Sequence, residues 1–167
     1  KKMRIKIPFF GSKSINGAKV QVQVHSMTDI GLSRANNEDR CVSLEGKDSP
    51  GVADAVMIVA DGMGGQAHGE VASDMAVEGI VRRLADQPKD KTLPTGGYAE
   101  LLGQVFREVN TEIYLESQGD TYRGMGTTAT AAVVTGTRVH IAHLGDSRAY
   151  LLRDGELSQL TRDHSWV

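Results

Sequence analysis

The sequence predicts an α+β fold, an antiparallel sheet layered against helices. Three observations carry that prediction. Ala55-Val56-Met57-Ile58-Val59-Ala60 is apolar throughout, two long stretches keep helical spacing, and everything after Thr127 turns β-branched and alternating. Strands, two helices, then strands again do not make the strand-helix alternation of a parallel sheet.

Taken in order, Val20-Gln21-Val22-Gln23-Val24 alternates with period 2 and reads as a strand buried on one face. Residues 1 to 19 before it form a basic extension, and 20 to 167 make one domain. The run Ala55 to Ala60 is short and contains Val and Ile, so it reads as a strand buried on both faces and central in its sheet. From Gly69 to Gln87, residues Ala76, Val77, Ile80, Val81 and Leu84 share one helical face, and Pro88 ends the helix. Breakers at 88 to 97 make a loop. A second helix follows from Tyr98 to Ser117, with Leu102, Val105, Phe106, Val109 and Ile113 on its apolar face and Gly119 as its stop, and it is expected to pair antiparallel with the first. Thr127–Thr135, Arg138–Leu144, Arg148–Leu152 and Leu157–Leu160 then predict a meander of up to four strands, with Asp154-Gly155 as a hairpin turn.

Composition narrows the class. Of 167 residues, 24% are charged, and no apolar run approaches the roughly 18 residues of a membrane span. The basic start has no apolar core of a secretory signal, and Cys41 is the only cysteine, so a disulfide framework is excluded and a cytoplasmic protein is expected. Cys41 reads as a core thiol. Residues 1 to 28 hold six Lys/Arg and no acid, while the remainder holds 13 Lys/Arg against 21 Asp/Glu. Such an acidic body suits a protein that gathers carboxylates around a cation and argues against nucleic acid as partner.

The chemistry gathers in three turns. In Val59-Ala60-Asp61-Gly62-Met63-Gly64-Gly65 a buried strand runs into a carboxylate and glycines, which makes Asp61 a candidate metal ligand with the Gly62 carbonyl beside it. The plain alternative is a tight turn capped by Asp61. A dinucleotide loop, Gly62-x-Gly64-x-x-Ala67, fits less well, because Asp61 would face the pyrophosphate and Arg82-Arg83 stand where an acid belongs. Arg34-Ala35-Asn36-Asn37-Glu38-Asp39-Arg40 is by itself a solvated loop, and Leu144-Gly145-Asp146-Ser147-Arg148 by itself a hairpin turn. Together they offer hard oxygen ligands that select Mg²⁺ or Mn²⁺, with an arginine fork for phosphate.

These residues resemble the metal-dependent protein phosphatases of type 2C, the PPM family, in its bacterial form. The resemblance runs through Asp29-Ile30-Gly31 with Arg34, Asn37-Glu38-Asp39, Asp61-Gly62-Met63-Gly64-Gly65, Gly69-Glu70-Val71-Ala72-Ser73, Gly124-Met125-Gly126-Thr127-Thr128, Gly145-Asp146-Ser147-Arg148-Ala149-Tyr150 and Thr161-Arg162-Asp163-His164-Ser165. It implies a sandwich of two antiparallel sheets flanked by helix pairs, and a binuclear Mn²⁺/Mg²⁺ centre that hydrolyses phosphoserine and phosphothreonine in phosphoprotein substrates, a signalling activity. It further implies that Asp61 bridges two metals, that Gly62 and Glu38 bind one of them, and that Asp39 supports them from behind. Arg34 would clamp the substrate phosphate, and Asp146 would serve a third, weaker metal.

The resemblance also implies what is missing. The family pattern continues into a flap and two further aspartates, whereas after Asp146 this chain has only Asp154, Glu156 and Asp163. The expectation is an N-terminal portion of the catalytic domain with little activity alone, and with exposed sheet edges prone to self-association. The alternative is a non-catalytic phosphoprotein-binding or regulatory relative. His140, His143 and His164 read as packing residues, and position 63, a histidine in some family members, is Met63.

Overall fold

The computed structural model describes residues 21–51, 53–63, 68–87 and 97–164. The expected extension at 1–19, the breaker loop at 88–96 and the glycines at 64–65 lie outside them.

The apolar run sets the plan. It forms β2 (Ala55–Met63), which lies between β1 (Asp39–Glu45) and β4 (Ala129–Thr135), with β5 (Arg138–Leu144) beyond β4 and the short β3 (Gly126–Thr127) paired to the far end of β2. All pairings are antiparallel. The strand is central, as predicted, but it does not stop before Asp61. Thr127 and Gly126 face Gly62 and Met63, so the ladder carries Asp61 inside the strand rather than in a turn.

Alternation gives β2 two different faces. Val56, Ile58 and Ala60 point to the helices with Ala131 and Val133 of β4, and this is the main core. The helices are α1 (Gly69–Ala85) and α2 (Gly97–Glu116), close to their predicted bounds. In α1 the residues Ala72, Ala76, Ile80 and Leu84 recur every fourth position on the buried side; in α2 it is Leu101, Leu102, Val105 and Val109. Ile58, Ile80 and Leu102 are fully buried, each stabilising the fold by about 1.5–3 kcal/mol. Leu84 lies against Gly51, Tyr98 stacks on His140 at the same end of the sheet, and His68 before α1 meets Tyr122 after α2, so the helices run in opposite directions. They approach closely because Gly79 has no side chain: a Cβ there would stand 3.0 Å from Val109 Cγ2. Across their exposed side, Arg83 Nε donates to Glu108 (2.9 Å) and Arg82 Nη2 to Glu112 (3.2 Å). Helix α2 ends at Glu116, short of Gly119, whose N–H returns to the Glu116 carbonyl (3.1 Å).

The opposite face of the sheet buries Ala55, Met57 and Val134 under Val24, with Val22 and Ala132 alongside. The expected strand at 20–24 is absent from its described part, 21–24, which covers the sheet without joining its ladder. Val24 N–H donates to the Glu45 carboxylate (2.9 Å) instead of to a backbone carbonyl. Cys41, on the same side of the edge strand β1, is only half-buried and not a core thiol, since that side carries this thin cover and no helix.

The predicted meander divides. β4 and β5 belong to the main sheet, while β6 (Tyr150–Arg153) and β7 (Glu156–Gln159) pair only with each other among the described residues. Asp154 and Gly155 both have positive φ (53° and 83°), as the predicted two-residue hairpin turn requires. The chain cannot run directly from β5 to β6 because the 145–149 turn is taken up by a strap, residues 160–164. Leu160 N–H donates to the Ala149 carbonyl (2.9 Å), His164 N–H to the Gly145 carbonyl (2.8 Å), and Arg148 forks onto Asp163 (2.7 and 2.6 Å).

Candidate functional site

The candidate residues collect where β1 begins and β2 ends. Register places Asp39 opposite Asp61, on the face away from the helices. Burial first, then the neighbouring Asp61 charge and hydrogen bonding with its carboxyl, push the Asp39 carboxyl above its ordinary value; the Arg34 guanidinium opposes this.

One residue earlier, Glu38 is 7% exposed. Its backbone is pinned from two sides, accepting from Gly62 N–H (3.1 Å) and from the Ser73 hydroxyl (2.6 Å) on α1. Its carboxylate pairs with Arg34, whose side chain is 64% exposed and so remains open to a ligand. The loop before β1 is not merely solvated: Asn37 Oδ1 accepts from Asp39 N–H (3.1 Å), and Arg40 pairs with Asp74 of α1 while donating to the Asn37 carbonyl (3.0 Å).

Glycine is required at two places here. A Cβ on Gly62 would overlap the Gly69 and Glu38 carbonyls, and one on Gly69 would stand 2.9 Å from the Gly62 carbonyl carbon and 3.1 Å from Glu38 Oε1. β2, α1 and the start of β1 therefore touch backbone to backbone around Glu38.

Asp146 comes from the other side. It is exposed in the 145–149 turn and reaches Asp61 only through neighbours. Asp61 N–H donates to Thr128 Oγ1 (3.0 Å), Thr128 N–H donates to the Asp61 carbonyl (3.0 Å), and Thr128 Oγ1 shares a hydrogen bond with Ser147 Oγ (2.6 Å). The structure thus brings Asp39 and Asp61 together, sets the Arg34–Glu38 pair at the same strand end, and leaves Asp146 tethered beside them. Among the described residues, no three His, Cys, Asp or Glu side chains converge as they would need to hold a cation unaided. Sequence reasoning includes Thr128, Ser147 and Ser73 in the motifs of the family resemblance but assigns none of them a role; a further signal for Thr128 is the polar Thr127-Thr128 pair at the start of an otherwise apolar strand.

The histidines are occupied elsewhere. His140 bonds Thr135 (3.0 Å), His143 lies between Thr130 (2.9 Å) and the Arg162 carbonyl (3.1 Å), and His164 stacks on His143.

Comparison with known proteins decides the family. Residues 33–166 match the profile of the family described as "Protein phosphatase 2C". The chain belongs to the protein phosphatase 2C family. The chain is 46% identical over 143 residues to the serine/threonine phosphatase stp of Listeria monocytogenes, covering 84% of this chain and 54% of that protein. The solved serine/threonine phosphatase Stp1 of Staphylococcus aureus superposes with a TM-score of 0.72 at 31% identity, over 83% of this chain and 52% of that one. The catalytic domain of PstP, solved in complex with two manganese ions, gives 0.64 at 38% identity, over 81% and 53%. This protein phosphatase 2C chain spans about half the length of the relatives it matches, and its mixed helices and antiparallel sheets are those of the 2C fold.

Proposed function

We propose that this chain contributes the arginine, the first carboxylates and the supporting scaffold of a metal-dependent serine/threonine phosphatase acting on phosphoproteins in the cytoplasm. The observation that carries the reading is the Asp39–Asp61 rung at the end of β2 with Arg34 beside it. Two facing carboxyl groups, one shifted upward by burial and by the charge of the other, are a donor set that a divalent cation would relieve, so the residues present fit Mn²⁺ or Mg²⁺. In this reading Asp61 and the Gly62 carbonyl hold the ion, Glu38 joins when it leaves Arg34, and Asp39 steadies Asp61. A cation bound there supplies activation of the attacking water and charge compensation at phosphorus. Arg34 orients the phosphate through its fork, and Asp146 is assigned to a further, weaker cation.

The exposed leucines of β6–β7, Leu152 (64%) and Leu157 (66%), support association through that hairpin, with a second copy or with further chain. No helix among the described residues is long and apolar enough to cross a membrane.

The test is aryl-phosphate hydrolysis by the longest obtainable chain, with Mn²⁺, with chelator, and with Asp61→Asn. Metal-dependent turnover lost in the variant is expected, whereas turnover indifferent to metal rejects the reading. A second reading, a phosphoprotein-binding relative without turnover, is favoured by the lack of a third converging ligand among the described residues. It predicts metal-independent binding of a phosphoserine peptide and no hydrolysis.

A further inference from the structure

The ladder between β2 and the strand opposite it contains an irregularity. Gly62 and Met63 pair with Thr127 and Gly126 of β3, and Val59 pairs with Thr130 of β4, in one continuous register. It is interrupted at two successive rungs, Ala60 opposite Ala129 and Asp61 opposite Thr128, and at the second of these the Thr128 side chain enters the ladder. That side chain takes the Asp61 N–H (3.0 Å) while the Thr128 backbone N–H returns to the Asp61 carbonyl (3.0 Å). The hydroxyl is thereby placed at the sheet surface, where it also meets Ser147 Oγ at 2.6 Å.

Thr128 is 2% exposed and its other side is filled just as closely. Gly145 packs on it with φ +105°, and a Cβ at Gly145 would stand 2.6 Å from Thr128 Cγ2. One threonine therefore holds Asp61 through its hydroxyl and receives both residues that flank Asp146, Gly145 against its methyl group and Ser147 against its oxygen. The turn is closed from behind by His164 N–H on the Gly145 carbonyl (2.8 Å) and by Thr130 Oγ1 on the Ser147 carbonyl (3.0 Å).

We propose that Thr128 is a positioning residue that locks the Asp61 end of β2 to the Gly145–Ser147 turn, so that cation affinity at Asp61 depends on the Thr128 hydroxyl. This rests on the reading of Asp61 as a metal ligand. The hydroxyl touches neither substrate nor cation; it fixes the backbone from which one carboxylate projects and the turn from which another does. Groups that orient a ligand from behind alter metal affinity without contributing a donor atom.

The test compares the wild-type chain with Thr128→Val, which keeps the shape and loses the oxygen, Thr128→Ser, which keeps the oxygen, and Ser147→Ala, which removes only the outer half of the lock. Without metal, deuterium exchange of the Asp61 amide is read against that of Met57 in the same strand. In Thr128→Val it is expected to speed up about tenfold relative to Met57, and in Thr128→Ser to stay near wild type. Mn²⁺ affinity, read by the electron paramagnetic resonance of the free ion, is expected to weaken about tenfold in Thr128→Val and several-fold in Ser147→Ala, with Thr128→Ser restoring it. Unchanged Asp61 exchange in Thr128→Val overturns the lock. Mn²⁺ bound equally by wild type, Thr128→Val and Ser147→Ala overturns the positioning role alone. A wild type that binds no better than Asp61→Asn overturns the metal reading and the positioning role together. Should Thr128→Val not fold, Ser147→Ala decides the affinity question.

Discussion

Gly62 at the end of β2 and Gly69 at the start of α1 meet backbone to backbone. No side chain fits between them, since a Cβ on either would run into the other's main chain. Gly62→Ala is therefore expected to destabilise the chain by about 3 kcal/mol, because the atoms in the way are backbone and cannot rotate aside. Urea denaturation checks this, and a loss below a few tenths of a kcal/mol would mean that the strand and helix are not in contact.

Asp39 gives a pH signature. Burial and the Asp61 charge raise its pKa in the fold, so the folded chain holds that proton more tightly than the unfolded chain does. Its contribution favours folding below the ordinary carboxylate value and is lost as pH rises through the raised one. Asp39→Asn removes that penalty. The variant should melt at a higher temperature than wild type at neutral pH, with the gap closing as pH falls below the ordinary value; a gap independent of pH would trace to something other than charge.

The same pair predicts a response to cations. An ion that binds only the folded chain stabilises it by mass action, by about 1.4 kcal/mol at ten times its dissociation constant. Thermal scans with Mn²⁺ should show an upward shift that chelator reverses and Asp61→Asn abolishes. Absence of any shift at millimolar Mn²⁺ would leave the Asp39–Asp61 rung as a structural pair only.

The helix pair is fastened from outside by Arg83. Its side chain is 15% exposed and reaches both Glu108 and Glu112, and hydrogen bonding to it holds the Glu112 carboxyl below its ordinary value. Arg83→Ala should cost about 1 kcal/mol, more than a single exposed pair, and lose part of that cost in high salt. A double-mutant cycle with Glu112→Ala measures the coupling.

The sequence was most informative where one physical term dominates. The apolar run of β2 had to be central, and the four-residue spacing of Ala76, Ile80 and Leu84 had to face a core, because burial alone settles both. Alternation at 20–24 was misleading for the same reason. It reports that Val22 and Val24 are covered on one side, which they are, and says nothing of whether the backbone joins a ladder. The split between β5 and β6 depends on side-chain bonds from the 160–164 strap, such as Thr161 Oγ1 accepting from Ala149 N–H (3.0 Å), which leave no periodic trace. At the site, charged residues advertise themselves, and Arg34, Glu38, Asp39 and Asp61 were all visible. The hydroxyls of Ser73, Thr128 and Ser147 lay within the motifs of the resemblance, but their roles did not show, since a neutral hydroxyl is common and acquires meaning only from what lies across from it.

β2 is bonded on both sides for most of its length and sealed by α1 on one face, so its Asp61 end is built into the most protected element of the fold. Asp61 itself is exposed at that end, so its carboxylate meets solvent while the strand that carries it is anchored further in. An ion held there would leave on the timescale of the protein's own unfolding if escape required the strand to part, and quickly if it required only the Arg34 loop to swing. The off-rate of such an ion would then clock one motion or the other, an hourglass set at the end of a strand.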